Sequence, residues 1–125
     1  MILDTNALSA FFDDEIPAVR RIRLARAVHL AVVVLGEYRF GLLGSRQRLE
    51  RESTLDSFVQ LTGVLAITES TTRHYAESRH ELKRAATPIA ASDAWIAALA
   101  REHALPIMSS GVHFDAVAGV RRISW

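Results

Sequence analysis

Three acidic residues stand where an apolar core would not place them without a use. Asp4 closes the apolar run Met1-Ile2-Leu3, and Glu37 sits inside Val32-Val33-Val34-Leu35-Gly36-Glu37-Tyr38-Arg39-Phe40. Asp93 follows Ser92 at the head of a segment rich in alanine and leucine. A carboxylate removed from water costs free energy unless a charge or a hydrogen bond compensates it. Each acid has an ordinary reading. Asp4 can cap a helix, or leave that role to Thr5 or Asn6. Glu37 can pair with Arg39 or another arginine, or face solvent. Asp93 can be a first-turn acid favoured by the helix dipole behind a Ser92 cap. Together they allow a sharper reading. Three carboxylates in one pocket repel one another and persist only if some are protonated or a cation binds. Oxygen donors without cysteine suit Mg²⁺ or Mn²⁺ better than zinc. Spacing alone does not bring these residues together; a fold must.

Short apolar runs alternate with helical patterns along the chain. Strands are predicted at Met1–Asp4, Val28–Val32, Val64–Thr68, Pro106–Ser109 and Val120–Ile123. Helices are predicted at Asn6–Phe12, Pro17–Ala27, Val33–Leu43, Gln47–Thr62, Glu69–Ala86 and Asp93–His103. Pro17 suits a first helical turn, and Thr87-Pro88 ends the fifth helix. Strands separated by helices imply an α/β fold with a mainly parallel sheet covered on both faces. In such sheets ligands bind beyond the carboxyl ends of the strands. Asp4, at the end of the first predicted strand, falls there.

The composition bounds the rest. The chain has 125 residues, half of them hydrophobic, and shows no repeat or linker, so a single domain over 1–125 is expected. It has no cysteine, which excludes disulfides, thiolate metal sites and cysteine nucleophiles. The apolar run Leu30–Gly36 is far short of the ~20 residues needed to span a bilayer. No signal-like leader opens the sequence, and the expected location is the cytoplasm. The net charge is +1, and 14 of the 15 basic residues are arginine. Arginine suits bidentate phosphate contact, although a codon bias gives the same count.

Four segments, in order, resemble the PIN-domain family, in particular its VapC-type toxins. The opening Ile2-Leu3-Asp4-Thr5-Asn6-Ala7-Leu8-Ser9 is similar to the first motif, and Val34-Leu35-Gly36-Glu37-Tyr38-Arg39-Phe40-Gly41 to the second. Thr87-Pro88-Ile89-Ala90-Ala91-Ser92-Asp93-Ala94-Trp95-Ile96-Ala97-Ala98 resembles the third, and Ile107-Met108-Ser109-Ser110-Gly111-Val112-His113-Phe114-Asp115 the closing strand and loop. The resemblance implies a three-layer α/β/α sandwich in which Asp4, Glu37 and Asp93 converge on one or two Mg²⁺ or Mn²⁺ ions. It implies hydrolysis of RNA phosphodiesters by metal-activated water, leaving 5′-phosphate and 3′-hydroxyl ends. Asn6 and Ser109 match supporting polar positions. A VapB-like antitoxin partner and a homodimer, with Tyr38, Phe40 and Leu42 partly interfacial, are also implied.

One departure stands out. Relatives commonly carry a fourth acid or an asparagine where this chain has Gly111. Asp115 is the nearest acid and the remaining candidate for a further metal ligand. Gly111 also keeps open a second reading, a PIN fold that binds RNA or protein without cutting. A magnesium phosphatase with an aspartyl nucleophile needs a second Asp two residues after the first, where this chain has Asn6. Among His29, His74, His80, His103 and His113 no pair has metal-binding helical spacing. His113, in the closing loop, has the best case for a functional role. Arg20, Arg21, Arg23 and Arg26 form either an RNA-facing patch or a solvated helix face.

Overall fold

Ile2, Leu3, Leu30, Ala31, Ile107 and Met108 are all fully buried, and they form the centre of a parallel sheet. Successive strand residues point to opposite faces. Full burial of both Ile2 and Leu3 therefore requires cover on each side of the sheet, the three-layer arrangement expected. The computed structural model describes residues 1–125. In chain order the elements are β1 (Ile2–Leu3), α1 (Thr5–Phe12), α2 (Ile16–Arg23), β2 (His29–Ala31), α3 (Val32–Leu42) and α4 (Arg48–Thr62). Then come β3 (Val64–Leu65), α5 (Glu69–Arg84), α6 (Ala91–His103), β4 (Ile107–Met108), a 3-10 helix (Val112–Ala116) and β5 (Arg122–Ile123). No helix is long and apolar enough to cross a membrane.

All predicted strands and helices are present, with strands shorter than expected. The strand order is β3-β2-β1-β4-β5, and every pairing is parallel. From β1 the chain builds outward through β2 to β3. It then returns by α5 and α6 to lay β4 on the other side of β1. The switch point of the sheet thus lies between β1 and β4, where Leu3 pairs with Met108. A crevice opens beyond the strand ends at such a point. Asp4 and Ser109 are the next residues on the two strands.

Two helices carry the other acids. In α3 the buried residues Val34, Tyr38 and Leu42 recur every fourth position and face the core, which leaves Glu37 at the margin of that stripe. Tyr38 and Leu42 are accordingly core residues, 7% and 5% exposed, and cannot form an interface; of the expected trio only Phe40 is exposed. In α6 Ala94, Ala97, Ala98 and Ala100 are buried small side chains that let the helix approach its neighbours closely, while buried Ile96 and Leu99 fill the core. Helix α5 is tied to α6 by polar contacts. Buried Thr71 donates to the Glu102 carboxylate at 3.0 Å, and Arg101 donates to the buried Ser78 hydroxyl at 2.9 Å.

Candidate active site

Asp4 is both cap and site residue. Its Oδ1 accepts from the backbone N–H of Thr5 at 2.7 Å, so it caps α1. Its Oδ2 accepts from Ser109 Oγ at 2.7 Å and Asn6 Nδ2 at 2.9 Å. Only 5% of Asp4 is exposed, and these donors compensate its burial. Ser109 is fully buried and also accepts from Asn6 Nδ2 and from the backbone N–H of Gly111. Asn6 Oδ1 in turn accepts from the backbone N–H of Ser110. Asn6 and Ser109 therefore clamp Asp4 to the end of β4.

Glu37 makes no ion pair with Arg39, which binds Asp56 instead. Its Oε2 accepts from Thr5 Oγ1 at 2.6 Å. Thr5 was expected only as an alternative cap; its hydroxyl joins two of the acids by bridging 32 residues of sequence. Asp93 lies in the first turn of α6, but the cap residue is Ala90 rather than Ser92, which stands inside the helix. Burial pushes the Asp93 carboxyl above its usual range, and the charges of Asp4 and Glu37 push it further, against the opposing influence of His113. That mutual repulsion places the three acids in one electrostatic neighbourhood. They do not close on one another as a ready-made set of three ligands. Asp4 and Glu37 are turned to their hydrogen-bond donors, and Asp93 to His113.

His113 Nε2 lies 3.1 Å from Asp93 Oδ2, close enough for an ion pair. The same atom is buried and makes no hydrogen bond of acceptable geometry. Asp115 is engaged elsewhere. It is exposed on the 3-10 helix, with both oxygens held at 2.9 Å by Nε and NH2 of Arg122. A carboxylate clamped in that fork does not point at the other acids, so the geometry gives no support to Asp115 as a metal ligand.

The donor set suits a divalent cation. It offers carboxylate oxygens under mutual repulsion and an imidazole nitrogen with no hydrogen-bond partner, and it contains no thiolate. Asp4, Glu37 and Asp93 are the residues that could hold Mg²⁺ or Mn²⁺. A polar groove of about 320 Å³ leads away from this pocket past Thr5, Ser9 and Glu37 to Asp13, Gln47 and Arg51. The largest concavity, about 810 Å³, is elsewhere. It is lined by Met1, Pro106 and Arg121, which precede strands, and by Arg20, Arg21 and Arg26. Arg20 and Arg21 of α2, and Arg26 beyond its end, therefore sit at the amino edge of the sheet, opposite the acids, whereas Arg23 lines a separate concavity with Gln47 and Arg51.

The family model for the PIN domain matches residues 1–120. Ribonuclease VapC5 of Mycobacterium tuberculosis is 30% identical over 99 residues, which cover 77% of this chain and 73% of that protein. The crystal structure of VapBC-5 from M. tuberculosis, a member of the VapBC family of toxin–antitoxin systems, contains a chain 28% identical at a TM-score of 0.72, with 99% of this chain and 97% of that one covered. A chain in the crystal structure of VapBC2 from Rickettsia felis, bound to a DNA fragment from their promoter, superimposes with a TM-score of 0.89 at 20% identity, over 99% of this chain and 97% of that one. With acids at the switch point of a parallel sheet and a family match over nearly its whole length, the chain belongs to the PIN-domain family.

Proposed function

We propose that this chain, read as one domain over residues 1–125, is a metal-dependent endoribonuclease and the toxin of a type II toxin–antitoxin pair. The observation that carries the reading is the hydrogen-bonded acid pair at the sheet's switch point, Asp4 held by Asn6 and Ser109 and Glu37 held by Thr5, beside Asp93, whose carboxyl is raised by burial first and by those two charges after it. The ribonuclease relative and the VapBC likeness support RNA as substrate and a VapB-like antitoxin as partner.

The residues divide the work. Asp4, Glu37 and Asp93 hold the cation, Mg²⁺ or Mn²⁺. When bound, the cation lowers the pKa of water and offsets the negative charge that gathers on the phosphate oxygens. Asn6 and Ser109 fix the rotamer of Asp4, and Thr5 fixes that of Glu37, so the acids keep their positions before substrate arrives. In the reaction a water oxygen bonds to phosphorus and the P–O3′ bond breaks. The leaving oxygen takes a proton, which leaves a 3′-hydroxyl and a 5′-phosphate. The polar groove toward Arg51 gives the RNA backbone a path with one cation along it. Phe40, 79% exposed on α3, is assigned to a homodimer contact.

Cleavage of structured RNA by the purified protein, with Mg²⁺ or Mn²⁺ and then with EDTA, tests the activity. Asp4→Asn, Glu37→Gln and Asp93→Asn are each expected to abolish cleavage while preserving the fold. Expression alone should arrest bacterial growth, and co-expression of the adjacent small gene should restore it. Wild-type cleavage rates in the three variants would overturn the site. Unimpaired growth with soluble protein would favour a non-cutting RNA- or protein-binding module.

A further inference from the structure

The histidine of the closing loop occupies space that most side chains at position 111 would deny it. A Cβ built on Gly111 would stand 2.4 Å from His113 Cε1 and 2.9 Å from Nδ1, far inside van der Waals contact. Gly111 has φ −75°, so the glycine is required by the ring and not by the backbone conformation. The ring packs on Phe114, which is fully buried, with centroids 4.4 Å apart. That packing directs Nε2 toward Asp93, where it is buried without a hydrogen bond. Two ligands in adjacent positions of an octahedral ion, each at about 2.1 Å, are about 3.0 Å apart. The separation of Nε2 from Asp93 Oδ2 is 3.1 Å.

We propose that His113 is a nitrogen ligand of the divalent cation held by Asp4, Glu37 and Asp93, and that Gly111 is the residue that makes room for it. The proposal rests on the metal-dependent reading above and deepens it. Its consequence is selectivity. Imidazole nitrogen raises affinity for Mn²⁺ and later transition ions over Mg²⁺, which prefers oxygen and water. The pocket is thereby a mixed nitrogen–oxygen site that favours Mn²⁺ over Mg²⁺.

The test is Mn²⁺ binding to the apo protein, followed by calorimetry and by pulsed EPR on samples with ¹⁴N- and ¹⁵N-labelled histidine. Wild type should show a histidine nitrogen coupled to Mn²⁺. His113→Ala and His113→Phe, the second retaining a ring over Gly111, should lose that coupling. Each should weaken Mn²⁺ by about tenfold or more, the scale reached even by outer-shell partners, and change Mg²⁺ affinity much less. Gly111→Asp alone forces the ring aside and should also lose the coupling. Gly111→Asp combined with His113→Ala replaces nitrogen by carboxylate and should restore tight binding with the preference moved toward Mg²⁺. Mn²⁺ binding that Asp4→Asn abolishes but that shows no nitrogen coupling would overturn the His113 assignment and leave it a partner of Asp93 alone. No Mn²⁺ binding by wild type, or binding indifferent to Asp4→Asn, would overturn the metal site itself and the assignment with it.

Discussion

The hydroxyl of Ser109 donates to Oδ2 of Asp4 at 2.7 Å, joining the ends of two adjacent parallel strands across 105 residues of sequence. Both residues are buried, and Ser109 also receives the N–H of Gly111, so one hydroxyl fixes an acid and the first turn of the closing loop. Removing it leaves a carboxylate oxygen and a backbone N–H short of a partner. Ser109→Ala is expected to lower stability by about 2 kcal/mol and kcat/KM by about tenfold to a hundredfold. Ser109→Thr, which keeps the hydroxyl, should recover most of the activity if its methyl group is accommodated. Chemical denaturation and initial cleavage rates on the three proteins check this, and equal loss in both variants would point to packing in place of the hydroxyl.

The Asp93 carboxyl is raised, first by burial and then by Asp4 and Glu37. Its native form therefore holds a proton at pH values where the unfolded chain, near 3.8, has released it. Stability falls as pH rises through that window and stays reduced above it, because the charged form is disfavoured in the fold. Asp93→Asn removes this penalty. Without divalent cations, its melting temperature should match wild type below pH 3.8 and exceed it by a few degrees at neutral pH. Saturating Mn²⁺ should reverse the order, since only wild type gains binding energy. A variant less stable than wild type at neutral pH without metal would show that the His113 contact outweighs the repulsion.

Arg51 is one quarter exposed, pairs with Asp13, and is the cation of the groove that starts at Glu37. A phosphate of bound RNA would compete with Asp13 for its guanidinium. Arg51→Gln should weaken RNA binding without altering metal affinity, and should reduce the slope of log K against log salt by about 0.7, the value for one contact to a single strand. Titrations from low to moderate salt in the Asp93→Asn background, where RNA is not consumed, read this directly. An unchanged slope would place the RNA elsewhere.

Element order, the parallel sheet and the place of Asp4 at its edge were legible in the sequence, because apolar runs bounded by helical patterns encode them locally; the grouping of Glu37 and Asp93 with Asp4 came only from the family resemblance. The core role of Tyr38 and Leu42 was legible too, since with Val34 they recur at four-residue spacing, yet the family likeness drew them toward an interface. Other features depend on distance through space. Thr5 and Glu37 are 32 residues apart, and nothing near either one marks the hydrogen bond. The fit of the His113 ring over Gly111 depends on the missing Cβ and on the ring's packing against Phe114, neither of which leaves a pattern in the chain. Asp4 shows that two readings of one residue need not compete, because one oxygen caps α1 while the other faces Asn6 and Ser109.

Asp115 supplies the last prediction, because chemistry nominates it as a metal ligand and geometry assigns it to Arg122. Its carboxylate lies in a two-point fork with that guanidinium, which also donates to the Ser109 carbonyl at 3.1 Å. The hydrogen bonds from Arg122 hold the Asp115 carboxyl below its usual range. A depressed carboxyl contributes stability above the unfolded value of 3.8 and loses it as pH falls through the lower native value. The pair is solvent-exposed at Asp115, so the contribution is small and screened by salt. Asp115→Ala should leave metal stoichiometry and nitrogen coupling unchanged, and should lower cleavage far less than Asp4→Asn does. Its small loss of stability should vanish in acid and at high salt. If the loss of cleavage instead equals that of Asp4→Asn, or if a bound ion disappears, Arg122 must release Asp115 to the metal when the substrate binds. Arg122→Gln separates the cases. It should mimic Asp115→Ala in stability if the pair is structural, and strengthen metal binding if Arg122 has been withholding a ligand.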